Sequence, residues 1–389
     1  MFANYFSPLD EDFKSFLDNL SKNQIGRNVI CNINQSFPDI DSIDFAIIFA
    51  PEYRGGSLVK TQEADLINIR KELYSLYRGD WNYRIGDFGN LIIGNNVKDS
   101  YFAINDIFSN LISQSVFPIL IGGSNDLVYA IYRSYESFLK GVNLLCVDSK
   151  FDLLDSNPKT ISSNNFIGHI IKQEPNHLSN YINLAYQSYF CQNDESRLLD
   201  KMNFDYLRLG DLRQNITSVE PHLRSSDIVS FDLSSIKQSD APGTTSPSPN
   251  GLEAHHSCAI TRYAGMSDRV SSLGIFEIDL KNDVSKQTIK LVSQIIWYFF
   301  EGFSLRNNDF PNSKNIDKNF QKFIIPVPDS NNEFVFYKSL SSSRWWVSCN
   351  LEHESIEVQD IKIIPCSYED YLDTISGDIP KRIFKILSS

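Results

Sequence analysis

The spacing of hydrophobic residues changes in a regular way along the chain. Phe45 to Ala50 form an unbroken apolar run within IDFAIIFAPEY, the pattern of a strand buried on both faces. Between Glu63 and Tyr77, Leu66, Ile69, Leu73 and Leu76 lie on one helical stripe. The alternation then repeats. LII after IGDFGN (86–93) reads as a strand, 100–114 as a helix, FPILIGG (117–123) as a strand and 126–140 as a helix. NLLCVDSKFDL (143–153), FDYLRLG (204–210), DIVSFDL (227–233) and LGIFEIDL (273–280) read as further strands, and a long helix over 285–303 closes the series. Strands alternating with helices predict an α/β fold of three layers, with a doubly wound, mostly parallel sheet and helices on both faces.

The flanks differ in texture. Residues 1–42 read as a helical preface, with Phe13, Phe16, Leu17 and Leu20 at helical spacing. Residues 43–303 hold the α/β pattern. From 304 a polar stretch, RNNDFPNSKNIDKNF, leads into FIIPV, FVFYKSL and RWWVSCN, which alternate as strands do. The segment 304–389 is therefore expected to be a C-terminal extension, partly β.

Composition narrows the function classes. A chain of 389 residues can bury a proper core. Its net charge of -12 argues against nucleic acid as a partner. The apolar run IIWYFF (295–300) is too short for membrane insertion, and the acidic start lacks a signal pattern. Six scattered cysteines without CxxC spacing read as reduced thiols rather than disulfides or a zinc site. A cytoplasmic location is expected.

In open α/β sheets the working site lies at the carboxyl ends of the strands. Three polar clusters stand there: GGSND (122–126), DSKFD (148–152) and DLSS (232–235). Any one of them reads as turn and cap chemistry. Three at strand ends point to a site, or to the remains of one.

These clusters also resemble a known family. GGSND, DSKFD and SFDLSSIKQSDAPGTTSPSPNGL (230–252) follow the order of the GGDHS, DAHxD and SFDxDxxDPxxxPGTGTPxxGGL motifs of the arginase and formimidoylglutamase (ureohydrolase) superfamily. Ser230, Phe231, Asp232, Ala241, Pro242, Gly243, Pro247, Gly251 and Leu252 fall in register. Ile69 with Arg70 resembles an early helix of the family, and Asp87, Gly89 and Asn90 resemble a DxGN turn. Gly274 to Ile278 resembles the late strand that carries an active-site Glu, here Glu277. Phe151 inclines the middle motif toward the formimidoylglutamase branch. The resemblance spans 43–303 and does not reach the extension.

The resemblance implies two manganese ions, held by two His and four Asp, whose bridging hydroxide attacks a guanidinium-type or formimino carbon. Carried over by position, this chain has Asn125 for the first His, then Asp148, Lys150 for the second His, Asp152, Asp232, and Ser234 for the last Asp. Three carboxylates and one ammonium sum to -2, so two divalent ions would leave a buried excess of positive charge. A protonated lysine cannot ligate. The expectation is no metal, with the Lys150 ammonium hydrogen-bonded to Asp148, Asp152 or Asp232. The alternative is one Mn2+ or Mg2+ on Asp148, Asp152, Asp232 and the Asn125 amide oxygen.

The function expected is that of a catalytically degenerate binding or scaffold component, whose partner is another protein or a second copy of the chain. The alternative is a hydrolase of linear amidines or guanidines that uses one metal or an altered mechanism. Glu277 and His169 remain as catalytic candidates; Glu277 reads equally as a partner for Arg or Lys, and His169 reads first as a surface or capping histidine. His255 and His256 lack ligand spacing and read as a helix start. Arg344, Trp345 and Trp346 read either as a protein-docking anchor or as the aromatic core of a small β subdomain.

Overall fold

The computed structural model describes residues 2–34, 36–56, 63–138, 141–154, 159–327, 332–350 and 362–387. Ten of the described strands form one sheet: β1 (Phe6–Ser7), β2 (Ile30–Cys31), β3 (Phe45–Phe49), β4 (Ile85–Leu91), β5 (Phe117–Ile121), β6 (Val142–Val147), β7 (Leu178–Tyr186), β8 (Asp205–Arg208), β9 (Ile228–Asp232) and β10 (Ser272–Phe276). Their order is β1-β4-β3-β5-β10-β9-β6-β7-β8, with β2 also on β4. All pairs are parallel except β1 with β4. The architecture is the doubly wound α/β sheet expected from the alternation. Every residue of β3, β5, β9 and β10 is buried, as strands covered on both faces require.

The helices Glu63–Ser75, Ala254–Met266 and Gln287–Phe303 cover one face, and Val97–Ser113, Leu127–Arg133 and Phe166–Lys172 cover the other. Each layer closes its own apolar core against the sheet. Leu66, Ile69 and Leu73 are fully buried, so the stripe read from the sequence is the buried one.

Several boundaries differ from the sequence reading. The DxGN segment is not a turn before a strand but lies within β4. Gly89 takes φ +89° and marks a shift in register between β3 and β4. A Cβ there would lie 2.3 Å from the Ser7 carbonyl oxygen, so only glycine fits. The helix after β5 ends at Arg133, and the last two residues of the expected 126–140 helix lie outside the described residues. β7 was not foreseen, because Asn180 and Asn183 interrupt its apolar run. Both find partners: Asn180 donates to Asp205 at 3.2 Å, and Asn183 to the Lys150 carbonyl at 2.6 Å.

The first 42 residues contribute more than a helical preface. The expected helix is present as Glu11–Asp18, capped by Asp10. Yet β1 and β2 join the sheet, and Phe2, Phe6, Phe13, Ile25 and Ile33 enter the main cores.

The extension forms a second, antiparallel sheet, β11 (Phe320–Pro326), β12 (Glu333–Ser339), β13 (Trp345–Asn350) and β14 (Ile364–Cys366), with two terminal helices. The docking-anchor reading of Arg344, Trp345 and Trp346 is overturned here, because all three are buried. Strand alternation sends Trp345 and Trp346 into cores on opposite faces of this sheet. Arg224 explains why the segment is inward. Its guanidinium donates to the carbonyls of Trp345 at 3.1 Å and Cys366 at 2.8 Å, and lies 4.6 Å from the Trp346 ring centre. Arg344 donates to the Met266 carbonyl at 2.9 Å and faces Asp309 at 3.5 Å. Two arginines thus tie the small sheet to the large domain. None of the six cysteines takes part in a disulfide. Among the described residues, no helix is long and apolar enough to cross a membrane.

Candidate functional site

The strand order brings four distant segments of chain together. β5, β10, β9 and β6 are consecutive neighbours, and they run parallel. Their carboxyl ends carry Asn125, Glu277, Asp232 and Asp148 in turn. This is where strand order reverses, the usual place for a site in such a sheet. The glycines of GGSND turn the chain off β5 with φ +92° at Gly122 and +81° at Gly123.

Asn125 is the centre of the cluster. Its backbone N–H donates to Glu277 Oε1 at 2.7 Å. Its side-chain amide donates to Asp148 at 3.2 Å and to Asp152 at 3.4 Å, and its carbonyl oxygen accepts from the Ser230 hydroxyl at 3.2 Å. The Lys150 backbone N–H donates to Asp148 at 2.8 Å, and the Ser234 N–H to Asp232 at 2.6 Å. Thr245 donates its hydroxyl to Glu277. Asn125, Asp148, Asp152, Asp232, Ser234 and Glu277 are all buried. Asp152 and Glu277 adopt φ of 51° and 62°, a left-handed backbone that side chains rarely take and that gathers at functional sites.

Burial governs the electrostatics. It raises the carboxyls of Asp148 and Asp232 well above the usual range, and the neighbouring charges of Asp152 and Asp148, respectively, raise them further. Burial pushes Asp152 up to about 7. It also raises Glu277, against the pull of Thr245 and the Asn125 N–H. At neutral pH the cluster therefore holds protons that isolated carboxylates would release.

Lys150 does not do what the charge count predicted. Among the described residues its ammonium makes no hydrogen bond or ion pair with any carboxylate. The amide of Asn125 takes the position between Asp148 and Asp152. Both backbone polar groups of Lys150 are engaged, by Asp148 and Asn183. The half-buried side chain still lowers Asp148, Asp152 and Glu277 through space. His169 lies half-buried on the helix Phe166–Lys172, and no described bond joins it to the cluster.

Asp126 escaped the sequence reading. It stands one residue past Asn125, where an acid before a helix reads as a cap. It makes no cap bond to the helix Leu127–Arg133. It is fully buried instead, accepts from the Tyr101 hydroxyl, and leaves Oδ1 without a partner among the described residues. Burial raises it to about 7, and Glu277 adds to the shift. The charge count from sequence left out both Asp126 and Glu277.

The sheet order, the motif order and the acid cluster converge on one class. The chain belongs to the arginase family, whose model matches residues 55–301. Formimidoylglutamase of Staphylococcus haemolyticus (strain JCSC1435) is 26% identical over 227 residues, which cover 55% of this chain and 70% of that protein. Formimidoylglutamase of Staphylococcus aureus (strain MRSA252) is 24% identical over 213 residues, covering 50% and 65%. The fold is shared with Trypanosoma cruzi formiminoglutamase with Mn2+, at a TM-score of 0.62 and 18% identity over 70% of this chain and 97% of that one. It is also shared with agmatine ureohydrolase of Thermoplasma volcanium, at a TM-score of 0.60 and 16% identity over 75% and 98%.

Proposed function

We propose that this arginase-family chain has exchanged a two-metal hydrolytic centre for a hydrogen-bonded acid cluster, and that it works by binding rather than by hydrolysis. One observation carries the reading. Asn125 presents amide protons, not a lone pair, to Asp148 and Asp152, while Ser230 occupies its carbonyl oxygen. The position that resembles a metal-binding histidine thus supplies donors to the carboxyls. Ser234 does the same for Asp232 with its backbone N–H.

A pair of manganese ions does not fit these side chains. An amide N–H and an ammonium are donors only, and both repel a cation. The carboxyls are instead kept soluble in the protein interior by shared protons and by donors from Asn125, Ser234 and Lys150 N–H. The frame that holds them is intact, which suits a role as a binding or scaffold component for another protein or a second copy of the chain.

A second reading has its own support. Asp148, Asp152 and Asp232 converge while the Lys150 ammonium pairs with none of them. One Mn2+ or Mg2+ in an all-oxygen set would relieve their repulsion, if the Asn125 amide turned its oxygen inward. The chain would then be a one-metal hydrolase of linear amidines or guanidines.

The test is metal analysis of the purified full chain after incubation with Mn2+, together with assays on formiminoglutamate, arginine, agmatine and guanidinobutyrate. The expected result is no retained manganese and no turnover. Two manganese ions per chain, or turnover of any of these compounds, would overturn the binding reading.

A further inference from the structure

Outside the acid cluster, the start of the helix Ala254–Met266 gathers three other potential ligands. A carboxylate oxygen of Glu253 and one ring nitrogen each of His255 and His256 lie within 4.8 Å of one another. The two rings have centres 4.0 Å apart. Adjacent histidines lack ligand spacing when read along the sequence, but this helix start folds Glu253 onto them.

Two features single this cluster out from a chance grouping. The first concerns Glu253. It stands at the N-cap position but makes no cap bond, because Asp240 takes over by accepting the Ala254 N–H at 2.8 Å. Its two oxygens are divided. Oε1 faces the Lys237 ammonium at 3.4 Å, and Oε2 faces His255 Nδ1 at 3.6 Å. The latter gap is long for a hydrogen bond. It is close to the roughly 3.3 Å that separates two ligands on a tetrahedral ion with bonds of about 2.0–2.1 Å. Lys237 also faces Asp240 at 3.6 Å, so it keeps a partner if Glu253 turns toward a metal.

The second feature is His256. It is only 8% exposed, and its Nδ1 has no hydrogen-bond partner among the described residues. A buried ring nitrogen left unpaired is costly. A metal ion would satisfy its lone pair.

We propose that Glu253, His255 and His256 form a site for one Zn2+ ion, with three protein ligands and a fourth position open to water or to a group from a partner. Two imidazoles and one carboxylate suit zinc better than they suit magnesium or calcium. The site shares no residue with the acid cluster, so it stands or falls independently of the proposed function.

The experiment uses the tag-free full chain. Zn2+ is titrated in competition with a chromophoric chelator, and Co2+ is added separately to read the visible spectrum. The variants are H255A, H255A/H256A and, for the acid cluster, D148N/D232N. The expected result is one Zn2+ per chain. Affinity falls by about 100-fold or more in both histidine variants and is unchanged in D148N/D232N. Co2+ gives the intense visible bands of a four-coordinate site in the parent and loses them in H255A. Because His255 is exposed, H255A remains informative even if loss of the buried His256 disturbs folding. Zinc binding that is absent, that survives both histidine variants, or that disappears only in D148N/D232N would overturn the proposal.

Discussion

Asn125 reaches from the end of β5 to Asp148 at the end of β6 with an amide N–H at 3.2 Å, so it meets this carboxyl as a donor rather than with a lone pair. This relationship makes the chemistry reversible on paper. The triple variant N125H/K150H/S234D places two imidazoles and a fourth aspartate at the positions that resemble the family's metal ligands. It is expected to bind two Mn2+ per chain, at least about 100-fold more tightly than the parent binds any. Isothermal titration with Mn2+ checks this. The single variant N125H is expected to fall short, because Lys150 and Ser234 still supply no ligand of the right kind.

The raised carboxyls predict a pH dependence of stability. An aspartate in the unfolded chain titrates near 3.9, whereas Asp126 and Asp152 titrate at about 7 when folded. The folded state binds more protons, so their contribution is complete below about pH 4 and is lost as pH rises through about 7. Asp148 and Asp232 extend the loss to higher pH. Thermal unfolding is therefore expected at a higher temperature at pH 5 than at pH 8. D126N is expected to flatten part of that slope, and a flat profile in the parent would contradict the cluster as described.

Arg70 and Asp87 pair fully buried at 2.8 Å, with Tyr74 donating to the same carboxylate at 2.6 Å and Asn90 accepting from the guanidinium at 2.8 Å. R70M removes the cation and leaves an uncompensated buried charge, which is expected to cost about 3–5 kcal/mol in urea unfolding. R70M/D87N removes both charges and is expected to recover a substantial part of that loss.

Arg224 fastens the terminal sheet by its bonds to Trp345 and Cys366. R224A leaves two carbonyls unmet, at about 1–3 kcal/mol each. Hydrogen exchange is expected to quicken in Trp345–Asn350 and Ile364–Cys366 and to stay slow in β5, β9 and β10. Uniform quickening would mean that the two sheets unfold as one unit.

Much of this was readable in advance, for physical reasons. Strands such as Phe45–Phe49 and Ile228–Asp232 are buried on both faces, so their apolar runs stand out. The order of GGSND, DSKFD and SFDLSS located Asn125, Asp148, Asp152, Asp232 and Ser234 within one cluster. What stayed hidden depended on three dimensions. The insertion of β10 between β5 and β9 places Glu277 against Asn125, and no local pattern encodes that order. Lys150 carried the right charge, but its reach depended on whether Asn125 already filled the gap. The sequence left Trp345 and Trp346 open between a docking anchor and an aromatic core, because the seam that buries them is built by Arg224, more than a hundred residues earlier. Asp126 was masked by its resemblance to a helix cap.

The terminal sheet meets the large domain near Asn143, Asn180 and Asp205, at the amino ends of β6, β7 and β8, where a cleft of about 720 Å³ separates the two. The acid cluster lies buried at the other pole, at the carboxyl ends of the strands. Substitutions at one pole are thus separated from the other by the length of the strands, and their effects on stability are expected to add.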